Sequence, residues 1–147
     1  MKRRLLIVTA VFGAAAGLLS ADEKKVQMKD LPPAVQKAVQ EQTKGAELKG
    51  LALETEGGKT FYEAETIVNG RTRDLLFDAA GHVVEVEEAV ALDAVPAPVK
   101  AAFESQGKVL KVETVTKGKT VIYEAQIEKG GKKTEVAVNA NGKTVKR

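Results

Sequence analysis

The chain has no cysteine and no tryptophan, a single histidine, two tyrosines and four phenylalanines in 147 residues. Without cysteine there are no disulfides, no thiolate metal site and no lipid-bearing N-terminal cysteine. A domain outside the cytoplasm must then hold together through its hydrophobic core alone. The one histidine, His82, removes the dyads and triads that need an imidazole base, and one histidine does not make a metal site. No phosphate loop, dinucleotide fingerprint or nucleophile elbow occurs. No basic run is interleaved with aromatics, so the footprint of nucleic-acid binding is missing. The expected inventory is therefore no catalytic residue, no cofactor and no metal ligand.

What is present begins at the N-terminus. Lys2, Arg3 and Arg4 precede an uncharged stretch from Leu5 to Leu19. Ala21 follows, and then Asp22-Glu23-Lys24-Lys25. This is the three-part pattern of a secretory signal peptide over residues 1–21, cut after Ala21. The competing reading is an uncleaved anchor, but the apolar run is shorter than the roughly 20 residues a spanning helix needs. No second such run follows, so no membrane contact is expected after cleavage. The expected location is periplasmic or secreted. Of 23 basic residues, three lie in the leader, leaving 20 against 20 acidic ones, a formally neutral mature chain.

The mature part repeats itself. Leu31-Pro32-Pro33-Ala34-Val35 matches Val95-Pro96-Ala97-Pro98-Val99 at an offset of 64. Further on the offset is 61. Tyr62-Glu63-Ala64 falls on Tyr123-Glu124-Ala125, and Gly57, Gly70 and Gly81 fall on Gly118, Gly131 and Gly142. In each copy apolar residues at helical spacing follow a proline pair, which suits a first helical turn. Short strands then alternate with glycine turns. In copy one they are expected over Glu47–Thr55, Thr60–Val68, Arg71–Phe77 and Val83–Glu87. In copy two they are expected over Val109–Thr116, Thr120–Glu128, Lys132–Val138 and Lys143–Lys146. Asn69-Gly70 is a strong two-residue hairpin signal. The reading is α+β: two tandem repeats, each one helix packed on a four-stranded antiparallel meander. The expected layout is an extension at 22–29, repeat one at 30–88, a linker at 89–93 and repeat two at 94–147.

Alternation assigns faces. Tyr62, Ala64, Thr66, Leu75, Phe77 and Val84, with their counterparts in copy two, are expected to face the helix. Both tyrosines should be largely buried. The other face carries Glu63, Glu65, Asp74 and Glu85, with Glu124, Gln126 and Glu135, and is expected to be wet. Glu85, Glu87 and Glu88 read as solubilising edge charges.

These local signals together resemble the PepSY-like family, also described as β-lactamase-inhibitor-like. The residues that carry the resemblance are Asp30-Leu31-Pro32-Pro33-Ala34-Val35, Tyr62-Glu63-Ala64-Glu65 and Asp78-Ala79-Ala80-Gly81, with weaker versions in copy two. The resemblance implies an exported, non-enzymatic domain. Restraint of a secreted hydrolase is the activity associated with some relatives, and no functional residue carries over.

Competing site readings remain from the residues. Glu63 and Glu65 share a strand face, as acid–base carboxylates do. With no pocket-forming aromatic or second acidic cluster beside them, they read instead as an ordinary wet sheet face. Asp78 and Asn139 open turns that lack the ligand spacing of a calcium loop and read as turns stabilised by their own side chains. Phe61, Ile67 and Leu76 should stand among charges on the outer face. Apolar groups so rimmed can form a surface for another exported protein, or they can pack the two copies together. The functional expectation is an exported binding module that restrains a secreted or periplasmic hydrolase. The alternative is a non-catalytic sensor of a small ligand or of envelope stress.

Overall fold

The computed structural model describes residues 21–146, so the segment read as a signal peptide lies almost wholly outside the described residues. Within them, all strands join one antiparallel sheet. Its strands are β1 (Ala21–Lys25), β2 (Glu47–Glu56), β3 (Lys59–Val68), β4 (Arg71–Phe77), β5 (Val83–Ala89), β6 (Lys108–Lys117), β7 (Thr120–Lys129) and β8 (Lys132–Val138). Their spatial order is their sequence order. Helix α1 (Pro33–Gln42) follows β1, and α2 (Ala97–Glu104) follows β5. Proline stands in the first turn of both helices, where a missing N–H costs no hydrogen bond. The α+β reading with two tandem helix-and-sheet segments thus holds.

The halves correspond closely. Val26 N–H donates to the Leu51 carbonyl, and Val90 N–H donates to Val112 in the same way. Asp78 Oδ1 accepts from the backbone N–H of Ala80 and His82, as Asn139 Oδ1 does from Asn141 and Lys143. Both are side-chain-stabilised turns, as expected. Each ends on a glycine pressed against a helix start. A Cβ on Gly81 would lie 2.7 Å from the Ala34 carbonyl oxygen, and one on Gly142 2.5 Å from that of Pro98. Positive φ there (85° and 76°) suits glycine as well.

Three expectations need correction. Residues Lys143–Lys146 do not form a strand: only Val138 and Thr144 make a bridge, with Val145 N–H bonded to the Ala137 carbonyl. The equivalent strand β5 lies between β4 and β6. Among the described residues the 143–146 stretch has a neighbour on one side only. Residues 22–25, which carry no expected element, pair with β2. Tyr62 and Tyr123 do pack against their cores, but each is only half-buried. The phenol keeps contact with water at the core's margin, as amphipathic rings tend to do.

Two separate cores sit on one side of the sheet. Val35, Val39, Leu51, Ala64, Leu75 and Phe77 form the first with Leu31. Val99, Phe103, Val112, Ala125, Ile127 and Val138 form the second with Val95. Register links them: Leu75 faces Val86, Val86 faces Thr116, and Val112 lies four residues before Thr116 on β6. By the two-residue period all lie on the same face. Both helices therefore cover one face. Thr66 occupies a core position because its hydroxyl donates to the Arg73 carbonyl.

Candidate functional site

The face away from the helices is built by the other half of the alternation. Ala52 lies opposite Glu63, Glu63 opposite Leu76, and Leu76 opposite Glu85. In the next row Gly50 lies opposite Glu65, Glu65 opposite Asp74, Asp74 opposite Glu87, and Glu87 opposite Val115. Adjacent strands are about 4.8 Å apart, so three carboxylates stand side by side on β3, β4 and β5. Like charges directly opposite one another destabilise a sheet.

This face is not the wet one that alternation predicts. Glu85 is 4% exposed and Glu87 7%, while Glu63, Glu65 and Asp74 are half-buried. Strand β5 is interior to the sheet, not an edge, which removes the reading of Glu85 and Glu87 as solubilising edge charges. Glu85 is held by Lys117 Nζ from β6 at 2.8 Å. Glu88 points to the helix side and pairs with Arg73 Nε at 3.0 Å. Lys111 Nζ meets Glu113 at 2.6 Å. The bulge between Leu48 and Gly50 brings a residue without a side chain beneath Glu65. A Cβ on Gly50 would lie 2.8 Å from Glu65 Oε2, so glycine leaves the space this carboxylate fills.

Crowding and burial act on the same groups. Burial, then the charges of Glu54, Asp74, Glu65 and Glu23, push the Glu63 carboxyl up to about 9. Asp74 is pushed up to about 6, by burial first, then by Glu113 and Glu65. The backbone N–H of Thr66, which donates to Asp74 Oδ1, and Lys111 work the other way. Glu23, Glu63 and Glu65 each bring a carboxylate oxygen within 4.8 Å of the others. They are the residues a hard cation would meet, although such ions want six or more oxygens. Sequence reasoning paired Glu63 with Glu65 but not with Glu23, Glu54 or Asp74. The signal available was the alternation of acids on successive strands.

The sign of the pH effect follows. Glu63 binds its proton more tightly folded than unfolded. Its contribution to stability is fully present below about pH 4.5 and is lost as pH rises toward about 9. Asp74 adds the same trend between 3.8 and about 6. We expect Glu63→Gln to gain about 1–3 kcal/mol near pH 8 and almost nothing near pH 4. Urea midpoints of both proteins across that range provide the measurement. A constant difference between them would contradict the linkage.

Phe61, Ile67 and Leu76 all lie on this face, and all are half-buried. Their cross-strand neighbours are Glu54, Thr72 and Glu63, so they are interleaved with acids and not stacked together. The halves are joined in the plane of the sheet, β5 to β6; none of the three residues lies on those strands. His82 is exposed beside Asp78, with Nδ1 3.1 Å from Oδ2. Among the described residues, nucleophile–base geometry does not arise around this histidine.

Comparisons with known proteins give one family match and several similar folds. The family described as "Putative beta-lactamase-inhibitor-like, PepSY-like" matches residues 18–70 and again 60–146. No curated protein matches. A structure from Bacteroides eggerthii described as "putative periplasmic proteins" is similar at 25% identity and TM-score 0.65, covering 79% of this chain and 86% of that one. A DUF2874 family protein from Bacteroides uniformis matches at 24% identity and TM-score 0.63, over 78% and 86%. A BLIP-like protein from Bacteroides fragilis matches at 20% and 0.57, over 78% and 83%. The last two likenesses speak to fold alone. Among the described residues no helix is long and apolar enough to cross a membrane.

Proposed function

This chain belongs to the β-lactamase-inhibitor-like, PepSY-like family, and from that premise we propose that it is an exported, non-catalytic module that binds another exported protein. The observation that carries this reading is the sheet face that neither described helix covers, where Phe61, Ile67 and Leu76 stand half-buried among acids. Partner surfaces commonly combine apolar anchors with a charged surround. A periplasmic hydrolase is the class of partner that the family description supports. Export rests on the leader pattern of residues 1–21 and on the similarity to the Bacteroides eggerthii protein.

The test uses the immobilised protein, periplasmic extract, and the variants Phe61→Ser and Leu76→Ser. Neither side chain belongs to a core cluster, so both variants should keep the wild-type denaturation midpoint. The expected result is a protein retained by the wild type and lost from both variants. Equal retention by all three, or none by any, would remove this reading. A shallow cavity of about 330 Å³ between Ala89–Leu92 and Val109–Val112 is what a small-ligand sensor would use. It is large enough for a small molecule. A flat thermal-shift response to metals and envelope metabolites would dispose of that alternative.

A further inference from the structure

The sheet face that neither described helix covers has a chemical character more specific than apolar anchors with a charged surround. Four elements bring carboxylates around Glu63: β1 with Glu23, β2 with Glu54, β3 itself with Glu65, and β4 with Asp74. Across β5 the pattern continues in Glu85 and Glu87. Lys59 on β3 stands opposite Glu56, in the same alternation as Glu63, and two further ammonium groups come from β6. There Lys117 is held by Glu85 and Lys111 by Glu113. Lys25 on β1 faces Ala52, in the same row as Glu63. The first half of the face is thus acidic in excess, and its acids are crowded and partly removed from water.

We propose that this face receives a basic segment of the partner, with arginine or lysine heads over Glu63, Glu65 and Asp74 and their aliphatic stems on Phe61 and Leu76. The inference rests on the binding-module reading and names the chemistry of its partner. The argument is charge complementarity. A guanidinium about 4 Å from several half-buried carboxylates gains more than it would at an isolated surface acid. It also relieves the repulsion along the β3–β4–β5 row. Long basic side chains are suited to a checkerboard of acids and apolar groups, because their stems cover apolar surface while their heads stay polar.

A synthetic peptide of alternating arginine and alanine is the probe, since arginine stays charged at every useful pH. Calorimetric titration of the protein near neutral pH, at low and at high salt, reads affinity and its salt dependence together. The expected result is salt-sensitive binding, weakened roughly tenfold or more in Glu63→Gln/Glu65→Gln. Glu41→Gln/Glu104→Gln, on the two helices, should bind like the wild type. No binding, binding that salt does not weaken, or equal binding by Glu63→Gln/Glu65→Gln would overturn the proposal. So would calcium chloride binding at these residues while the peptide does not bind. If the peptide fails but an exported protein is still retained in a Phe61-dependent way, this inference falls and the binding-module reading stands.

Discussion

Replacing Phe77 by alanine should cost about 3–5 kcal/mol, the usual range for emptying a phenylalanine site that cannot collapse. Phe77 is 0% exposed and is the largest side chain of the first core. Its counterpart in the second half is Val138, also at 0%. The second core instead takes its phenylalanine from the helix, at Phe103, where the first half has Val39. Each core therefore contains one phenylalanine and one valine at this pair of positions, with helix and sheet exchanged. Volume is conserved while shape is not, which cores tolerate when both members of the pair change together. It follows that Phe77→Val should be strongly destabilising and Val39→Phe should overpack by about 1–3 kcal/mol. The double variant Val39→Phe/Phe77→Val should be more stable than the sum of its singles predicts. Denaturant titration of the four proteins gives the coupling energy. Simple additivity would mean the two sites do not face one shared volume.

A chain ending at Glu88 should lose most of the stability it has within the whole protein. The cores are separate, so the halves are coupled through the sheet. The seam runs from Val86 opposite Thr116 to Ala89 opposite Glu113. Cutting it makes β5 an edge, removes Lys117 from beside the buried Glu85 and uncovers Glu87. A buried carboxylate that loses its partner is costly. A unit of about 60 residues has little to spare, because it buries only about 60% of its unfolded surface. The whole protein should melt in one transition, and the shortened chain at a clearly lower denaturant concentration. Two resolved transitions in the whole protein, or equal midpoints, would show that the seam does not couple the halves.

The local chemistry of this chain was legible from its residues. Proline pairs marked both helix starts, Asn69-Gly70 marked a hairpin, and the period-two sets put Ala64, Leu75 and Phe77 on the core side. Each depends on contacts between residues near in sequence or on a period that a short segment shows by itself. Three other features were decided by tertiary structure. Whether β5 is an edge depends on β6, whose nearest paired residues lie more than twenty positions away with a helix between; no local pattern reports that pairing. The place of residues 21–25 beside β2 depends on a partner strand on the far side of α1. The acidic face is the clearest case. Alternation says which way Glu63, Glu65, Asp74, Glu85 and Glu87 point, and that much the sequence determined. How far they are withdrawn from water depends on the neighbours that six strands and their register bring alongside. Because burial and like charge act through space, only the folded sheet turns an ordinary row of acids into one whose Glu63 keeps its proton at neutral pH.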